Sequence, residues 1–169
     1  MNTIPIPIET ERRFLIRMPD VEKLRAMEGC VCTEITQRYL LNDSATERIR
    51  KRVYADRTIY THTLKKRISS MSSIEDEHEI TRDEYDAFKR RLDPERHKIK
   101  KLRCAVPWQG HTAEIDIYPF WQKQAIMEIE LKSEDDVIDL PDFVEIIREI
   151  TGDRSYSNRS LSKKIPAED

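Results

Sequence analysis

The chain is poor in glycine, with 3 in 169 residues. Gly29, Gly110 and Gly152 lie far apart, so neither a Gly-rich phosphate loop nor a dinucleotide fingerprint can be built. Cysteine is equally sparse. Cys30, Cys32 and Cys104 are an odd set that gives neither a disulfide framework nor a four-thiolate zinc site, and free thiols in a reducing compartment are expected. No apolar run approaches the ~18 residues of a membrane span, and no basic-then-apolar leader is present. A cytoplasmic protein is expected, with no membrane partner. A strong excess of one charge is also missing: 30 Lys and Arg stand against 32 Asp and Glu. That balance argues against a disordered charged chain and against a general nucleic-acid binder, whose footprint is basic. The run HKIKKLR (97–103) does not change this, because its alternate residues face opposite sides.

What the chain does have is charge: 37% of its residues are ionisable Asp, Glu, Lys or Arg, against roughly 25% in ordinary soluble domains. These charges alternate with apolar residues in a period of two, the strand signal. Eight segments show it. Glu9, Glu11 and Arg13 share one face; Thr33–Leu41 follows, with Ile35, Gln37 and Tyr39 on one side. Then come Arg48, Arg50 and Arg52; Thr61, Thr63, Lys65 and Arg67; Glu75, Glu77 and Glu79; Lys101 and Arg103; Glu114 and Asp116; and Glu128, Glu130 and Lys132. Residues 1–7, with two prolines, read as an extended arm, 8–162 as the folded body and 163–169 as a tail. Asp20 is placed to cap a short helix, and Thr81 with Glu84 forms a capping box before Tyr85, Phe88 and Leu92. Asp142 is placed to cap a third helix carrying Phe143, Ile146, Ile147 and Ile150, stopped by Gly152.

Eight strands in hairpin order predict an α+β protein built on an eight-stranded antiparallel β-barrel with flanking helices. Ordinary amphipathic design would put the charged faces outside. Two features favour the inverse. The acidic and basic rows balance, as a charged lumen requires. The signs are also segregated by strand, whereas solvent faces mix them. Phe14, Ile49, Leu64, Ile80, Leu102, Ile115 and Ile129 then face outward. Three arginines in one row imply a polyanion, and paired glutamates on separate strands imply a hard cation. Together they describe a metal-bound phosphate chain in a tunnel with a charged lumen.

At these residues the chain resembles the CYTH family, the triphosphate tunnel metalloenzymes. The family's Glu-x-Glu-x-Lys hallmark is read here as Glu9-Thr10-Glu11-Arg12-Arg13, with arginine in place of lysine. ITQRYL (35–40), Arg48-Ile49-Arg50, Thr63-Leu64-Lys65, Glu77-His78-Glu79, Lys101-Leu102-Arg103, Glu114-Ile115-Asp116, Glu128-Ile129-Glu130-Leu131 and the ending ITGDRSYSN (150–158) follow in order. Ala113, where an aromatic is usual, and Phe143, where a Trp is usual, depart from the pattern at positions that bear on packing.

The resemblance, strongest to the small bacterial tripolyphosphatases, implies a metal-dependent hydrolase that removes the terminal phosphate of a linear triphosphate. It implies phosphate-binding by Arg13, Arg48, Arg50, Arg52, Lys65, Lys101 and Arg103. Glu9, Glu11, Asp116, Glu128 and Glu130 would hold Mg²⁺ or Mn²⁺. Glu77 and Glu79 would complete the catalytic set, orienting basic side chains or taking a proton from water. Tripolyphosphate, ATP and thiamine triphosphate are the expected substrate classes, in a monomer or homodimer. An adenylyl cyclase, which would need a base pocket, and a non-catalytic polyphosphate binder are the alternatives.

Overall fold

The computed structural model describes residues 6–169; most of the expected N-terminal arm, residues 1–5, lies outside them. Nine strands form. They are β1 (Ile8–Arg17), β2 (Val31–Tyr39), β3 (Thr46–Val53), β4 (Thr58–Arg67), β5 (Ser72–Ile80), β6 (Ile99–Trp108), β7 (His111–Ile117), β8 (Gln124–Glu130) and β9 (Ile146–Glu149). The first eight close an antiparallel barrel in the order β5-β4-β3-β2-β6-β7-β8-β1, with β1 returning to β5. Short, polar connections allow this hairpin order. Between β6 and β7, Gln109 and Gly110 both take positive φ, 45° and 76°, which suits the two-residue turn joining the pair Trp108 and His111.

Closure is completed by a strand that the periodicity does not reveal. The edge of β1 pairs with β5 only over Ile8–Thr10. Beyond it, backbone N–H and C=O groups would be left without partners. β9 takes that edge, with Phe14 opposite Glu149 and Ile16 opposite Ile146. The helix expected after Asp142 is therefore corrected to a turn and a strand. Phe143, Ile146, Ile147 and Ile150 match helical spacing, but two of them are adjacent β-branched residues, stiff at χ1 and well fitted to a pleated edge. The other two caps form as expected. Asp20 Oδ1 accepts from the backbone N–H of Glu22 and Lys23 ahead of α1 (Val21–Arg25). Thr81 and Glu84 complete their capping box ahead of α2 (Arg82–Phe88). No helix among the described residues is long and apolar enough to cross a membrane.

The apolar faces point outward and are covered there. Phe14, Ile115 and Ile129, all within 1% of full burial, pack with Leu24 of α1 and with Phe143 and Ile146. Ala113 is in this layer, and Phe143 meets Trp108 edge-on with ring centroids 5.7 Å apart, so both departures from the family pattern are accommodated by packing. Ile49 and Ile80 lie under Tyr85 of α2 with Phe88 and Leu92. Leu102 is only partly covered, and Leu64 is 36% exposed.

Inside, charge does not run the length of the barrel. Leu15 continues the row of Glu9, Glu11 and Arg13; Ile126 continues that of Glu128; Ile99 continues that of Lys101 and Arg103. These three join Tyr118, Trp121, Ile150, Tyr156 and Leu161 in a buried apolar plug. If the outer layer is a genuine core, Ile115→Ala should lower the unfolding free energy by about 2–5 kcal/mol in urea, whereas Leu64→Ala should stay within about 0.5 kcal/mol of wild type. Equal effects would contradict the assignment of faces.

Candidate active site

Above the plug the barrel encloses a cavity of about 510 Å³. Glu9, Glu11 and Arg13 of β1 line it, with Arg48, Arg50 and Arg52 of β3, Lys65 of β4, Glu77 of β5, Lys101 and Arg103 of β6, and Glu128 of β8. Period two explains the convergence: alternate residues of each strand share its inner face. The remaining members of the expected set are placed differently. Asp116 is fully buried in the wall behind the cavity. Glu130 stands opposite Glu11 in the β1–β8 ladder but is exposed, and Glu79 is exposed on the inner-face row of β5.

The lining cations Arg13, Arg48, Arg50, Arg52, Lys65, Lys101 and Arg103 each meet a carboxylate, whereas Arg67 donates to the carbonyls of Ser69 and Ser70. Arg13 Nε donates to Glu128 Oε1 at 3.1 Å, across a directly paired position of β1 and β8. Arg103 donates to Asp116 at 2.7 Å and 2.9 Å and to Glu114 at 2.5 Å. Lys101 Nζ donates to Asp116 Oδ2 at 2.8 Å. Asp116 thus has both oxygens occupied by fixed cations. Burial alone would raise its pKa, but Arg103 and Lys101 hold it well below the ordinary range. Burial, helped by Arg103, lowers Lys101 to about 8 against the pull of Asp116. On the opposite wall Glu77 accepts from Arg50, from Arg52 at 3.3 Å and from Thr63 at 2.7 Å. Arg50 is lowered to about 10 by burial and by its neighbours Arg48 and Arg52. The Nε atoms of all three arginines are buried and have no hydrogen-bond partner in the protein.

Glu9 and Glu11, like Glu114, are shifted the opposite way from Asp116, Glu77 and Glu128. Burial and a hydrogen bond shared with Glu75 raise Glu9 to about 9; burial and the charge of Glu128 raise Glu11 to about 7. Glu75 moves the other way, to about 2, because Glu9 and Arg48 outweigh its own burial. Burial and like charge thus raise the carboxylates at the start of β1, and burial and like charge lower Arg50 in the middle of β3.

Several lining residues stand outside the expected set. Glu75 and Glu114 belong to the alternating rows and were legible there as charges. Tyr39 continues the inner row of β2. Arg154 and Arg159 come from the C-terminal segment, where no alternation marks them. That segment crosses the cavity as a short 3₁₀ turn and α3 (Asn158–Leu161). It is anchored by Thr151 and Tyr156, which accept from Arg13 N and Arg13 Nη2 at 2.9 Å and 3.0 Å. Gly152 lets it pass the β4–β5 turn, since a Cβ there would lie 3.1 Å from Ser70 Cβ.

No family model and no curated protein matches the chain, but solved structures do. The inorganic triphosphatase NE1496 is 25% identical, aligned over 94% of this chain and 100% of that one, with a TM-score of 0.59. This is the CYTH fold, a triphosphate tunnel. Two further structures share the tunnel architecture. A conserved hypothetical protein from Pyrococcus furiosus is 22% identical over 76% of this chain and 81% of its own, with a TM-score of 0.56. PH1012 from Pyrococcus horikoshii OT3 is 18% identical over 75% and 80%, with a TM-score of 0.54.

The tunnel's carboxylates give a pH signature. Glu9 and Glu11 hold protons in the folded chain that the unfolded chain releases near the ordinary value of 4.5. Their stabilising contribution is complete below that pH and fades as pH rises, through about 7 for Glu11 and about 9 for Glu9. Glu75 and Asp116, with lowered values, lose their contribution only on the acid side of their ordinary range. Thermal melts without divalent cation should show a Tm that falls less between about pH 5 and 7 for Glu11→Gln than for wild type. Superimposable pH profiles would contradict the electrostatic account of this wall.

Proposed function

We propose that the chain is a metal-dependent triphosphatase that removes the terminal phosphate of a linear triphosphate, with inorganic tripolyphosphate the best-fitting substrate. The observation that carries this is the row Arg48, Arg50 and Arg52, which lines a cavity also lined by Glu9, Glu11 and Glu128 and keeps three Nε donors without a protein partner. Buried guanidinium donors without acceptors are suited to phosphate oxygens, which they bind in a planar, often bidentate fork. That NE1496, similar in fold, is an inorganic triphosphatase supports this reading.

The carboxylates fit a magnesium-type ion. Among the described residues no three Asp, Glu, His or Cys side chains form a ready cage. Mg²⁺ needs none, since it takes one or two carboxylates and fills its remaining positions with water and substrate phosphates. Glu11, which among the described residues has no cation within 4.0 Å, and Glu9 on the same face of β1 would hold such an ion, with Glu128 beside them. Bound there, Mg²⁺ or Mn²⁺ would neutralise phosphate charge and activate water.

The protein's own part is positioning and charge. Arg48, Arg50, Arg52, Lys65 and Arg103 would bind the chain of phosphates, and Arg13, locked to Glu128 and to Tyr156 O, would fix one end of it. Glu77, already accepting from Arg50, Arg52 and Thr63, would orient those arginines rather than meet substrate. Asp116 would do the same for Lys101 and Arg103. The lining also weighs against a cyclase. Apart from Tyr39 and Met71 it consists of charged, hydroxyl and amide side chains and one glycine, which suits phosphate and offers a purine no apolar seat.

Incubation with tripolyphosphate and Mg²⁺ or Mn²⁺ should release phosphate, and excess EDTA should abolish the release. Cyclic AMP from ATP, or no product from any triphosphate, would overturn the assignment. Arg50→Ala should lower kcat/KM for tripolyphosphate by about 10²-fold or more, the scale of losing one donor to developing charge. An unchanged value would remove Arg50 from the site.

A further inference from the structure

A second concave site lies on the outside of the barrel. It is a cleft of about 290 Å³ between the outer faces of β2, β3 and β6 and helix α2. Arg38, Lys51, Lys98 and Lys100 line it. Among the described residues none of these four has an acidic group within 4.0 Å, whereas the lumen cations of β1, β3 and β6 are each paired with a carboxylate. The one acid in the cleft, Asp86, is held by Lys89 at 3.0 Å. The nearby Glu47 is occupied by Arg91 and His62.

The ladder shows why the four converge. Thr36 of β2 is paired with Lys51 on one side and Lys100 on the other, so the three form one row across three strands. Arg38 is two residues along β2 from Thr36, on the same outer face, and Lys98 bears the same relation to Lys100. Lys51 and Lys100 are two strand spacings apart, about 10 Å between backbones, a span that takes more than one phosphate to bridge. Alternation along β6 thus sends Lys101 and Arg103 inward and Lys100 outward, and Lys98, just ahead of the strand, lines the outer cleft with it. One strand supplies cations to both faces of the wall.

We propose that this cleft binds a linear inorganic phosphate chain outside the tunnel. The ligand must be a polyanion, because cations of one sign without partners repel one another until an anion joins them. It must also lack bases. Single-stranded nucleic acid is held by stacking on open aromatic faces, and the two tyrosines here, Tyr85 buried and Tyr60 half-buried, pack against each other. Tyr85 is 4% exposed, lies against Tyr60 at 4.9 Å and is covered by Lys89. A duplex would need a long basic surface rather than a small hollow. The proposal does not depend on the triphosphatase reading, since binding at the cleft requires no turnover.

Fluorescence anisotropy with end-labelled long-chain inorganic polyphosphate tests it. Arg38→Glu/Lys100→Glu should weaken binding by about tenfold or more and flatten the salt dependence, as loss of phosphate contacts does. The same variant should keep tripolyphosphate kcat/KM within about twofold of wild type, because neither residue lines the cavity. Arg38→Gln/Lys100→Gln, which removes charge without reversing it, should weaken binding in the same direction if the reversed pair fails to fold. Equal polyphosphate affinity in wild type and a folded cleft variant would overturn the proposal. So would an oligonucleotide of matched charge that binds the cleft as tightly. A protein that releases no phosphate from any triphosphate, yet loses polyphosphate binding in the cleft variant, would overturn the catalytic reading and leave this one standing.

Discussion

Charges withdrawn from water must be neutralised where they are put, and that constraint shapes this barrel. Moving an ion out of bulk water costs several kcal/mol even after relaxation, and only close partners offset it. The inner wall meets the demand in specific pairs: Arg13 with Glu128, Arg103 and Lys101 with Asp116, Arg50 with Glu77. Arg13 with Glu128 and Arg103 with Asp116 follow directly from register, since paired positions of neighbouring strands face the same way. Where the pairing is incomplete the wall becomes receptive. Glu9 and Glu11 are raised chiefly by burial, Glu9 with Glu11 and Glu75 around it, and the arginines of β3 have donors left over. A cation and a chain of phosphates would satisfy both at once.

The rest of the fold serves that arrangement. With polar groups inside, the apolar faces must be buried outside, and α1, α2 and the segment carrying Phe143 and Ile146 provide the cover. The apolar plug around Leu15, Tyr118 and Tyr156 closes the charged interior, and the C-terminal segment hydrogen-bonds Arg13 across it. Both oxygens of Asp116 accept from Lys101 and Arg103, which hold its pKa low, in contrast to the raised values at Glu9 and Glu11.

Much of this was legible in the sequence because strands write their faces in a period of two. The eight barrel strands, their inner charges and the capping box at Thr81 all follow from local spacing. β9 was not legible, because Phe143, Ile146, Ile147 and Ile150 satisfy helical spacing, while the demand that made them a strand came from the distant edge of β1. The arginines at 154 and 159 were hidden for a related reason: they enter the cavity from a turn and a helix of four residues, neither of which carries a period. Nor does alternation say where along a row the lumen ends. Glu79 and Glu130 belong to inner rows yet emerge into solvent, while Leu15 and Ile126 extend the same kind of row into an apolar plug.

The central claim is that a metal ion and a phosphate chain occupy the inside of this barrel together. A crystal structure with Mn²⁺ and a slowly hydrolysed tripolyphosphate analogue, read by anomalous scattering at the manganese edge, tests it most directly. The account predicts an anomalous peak beside Glu9 and Glu11, with phosphates extending from it to Arg48, Arg50 and Arg103. Manganese and phosphate bound only on the outer surface, with the interior holding water alone, would contradict it.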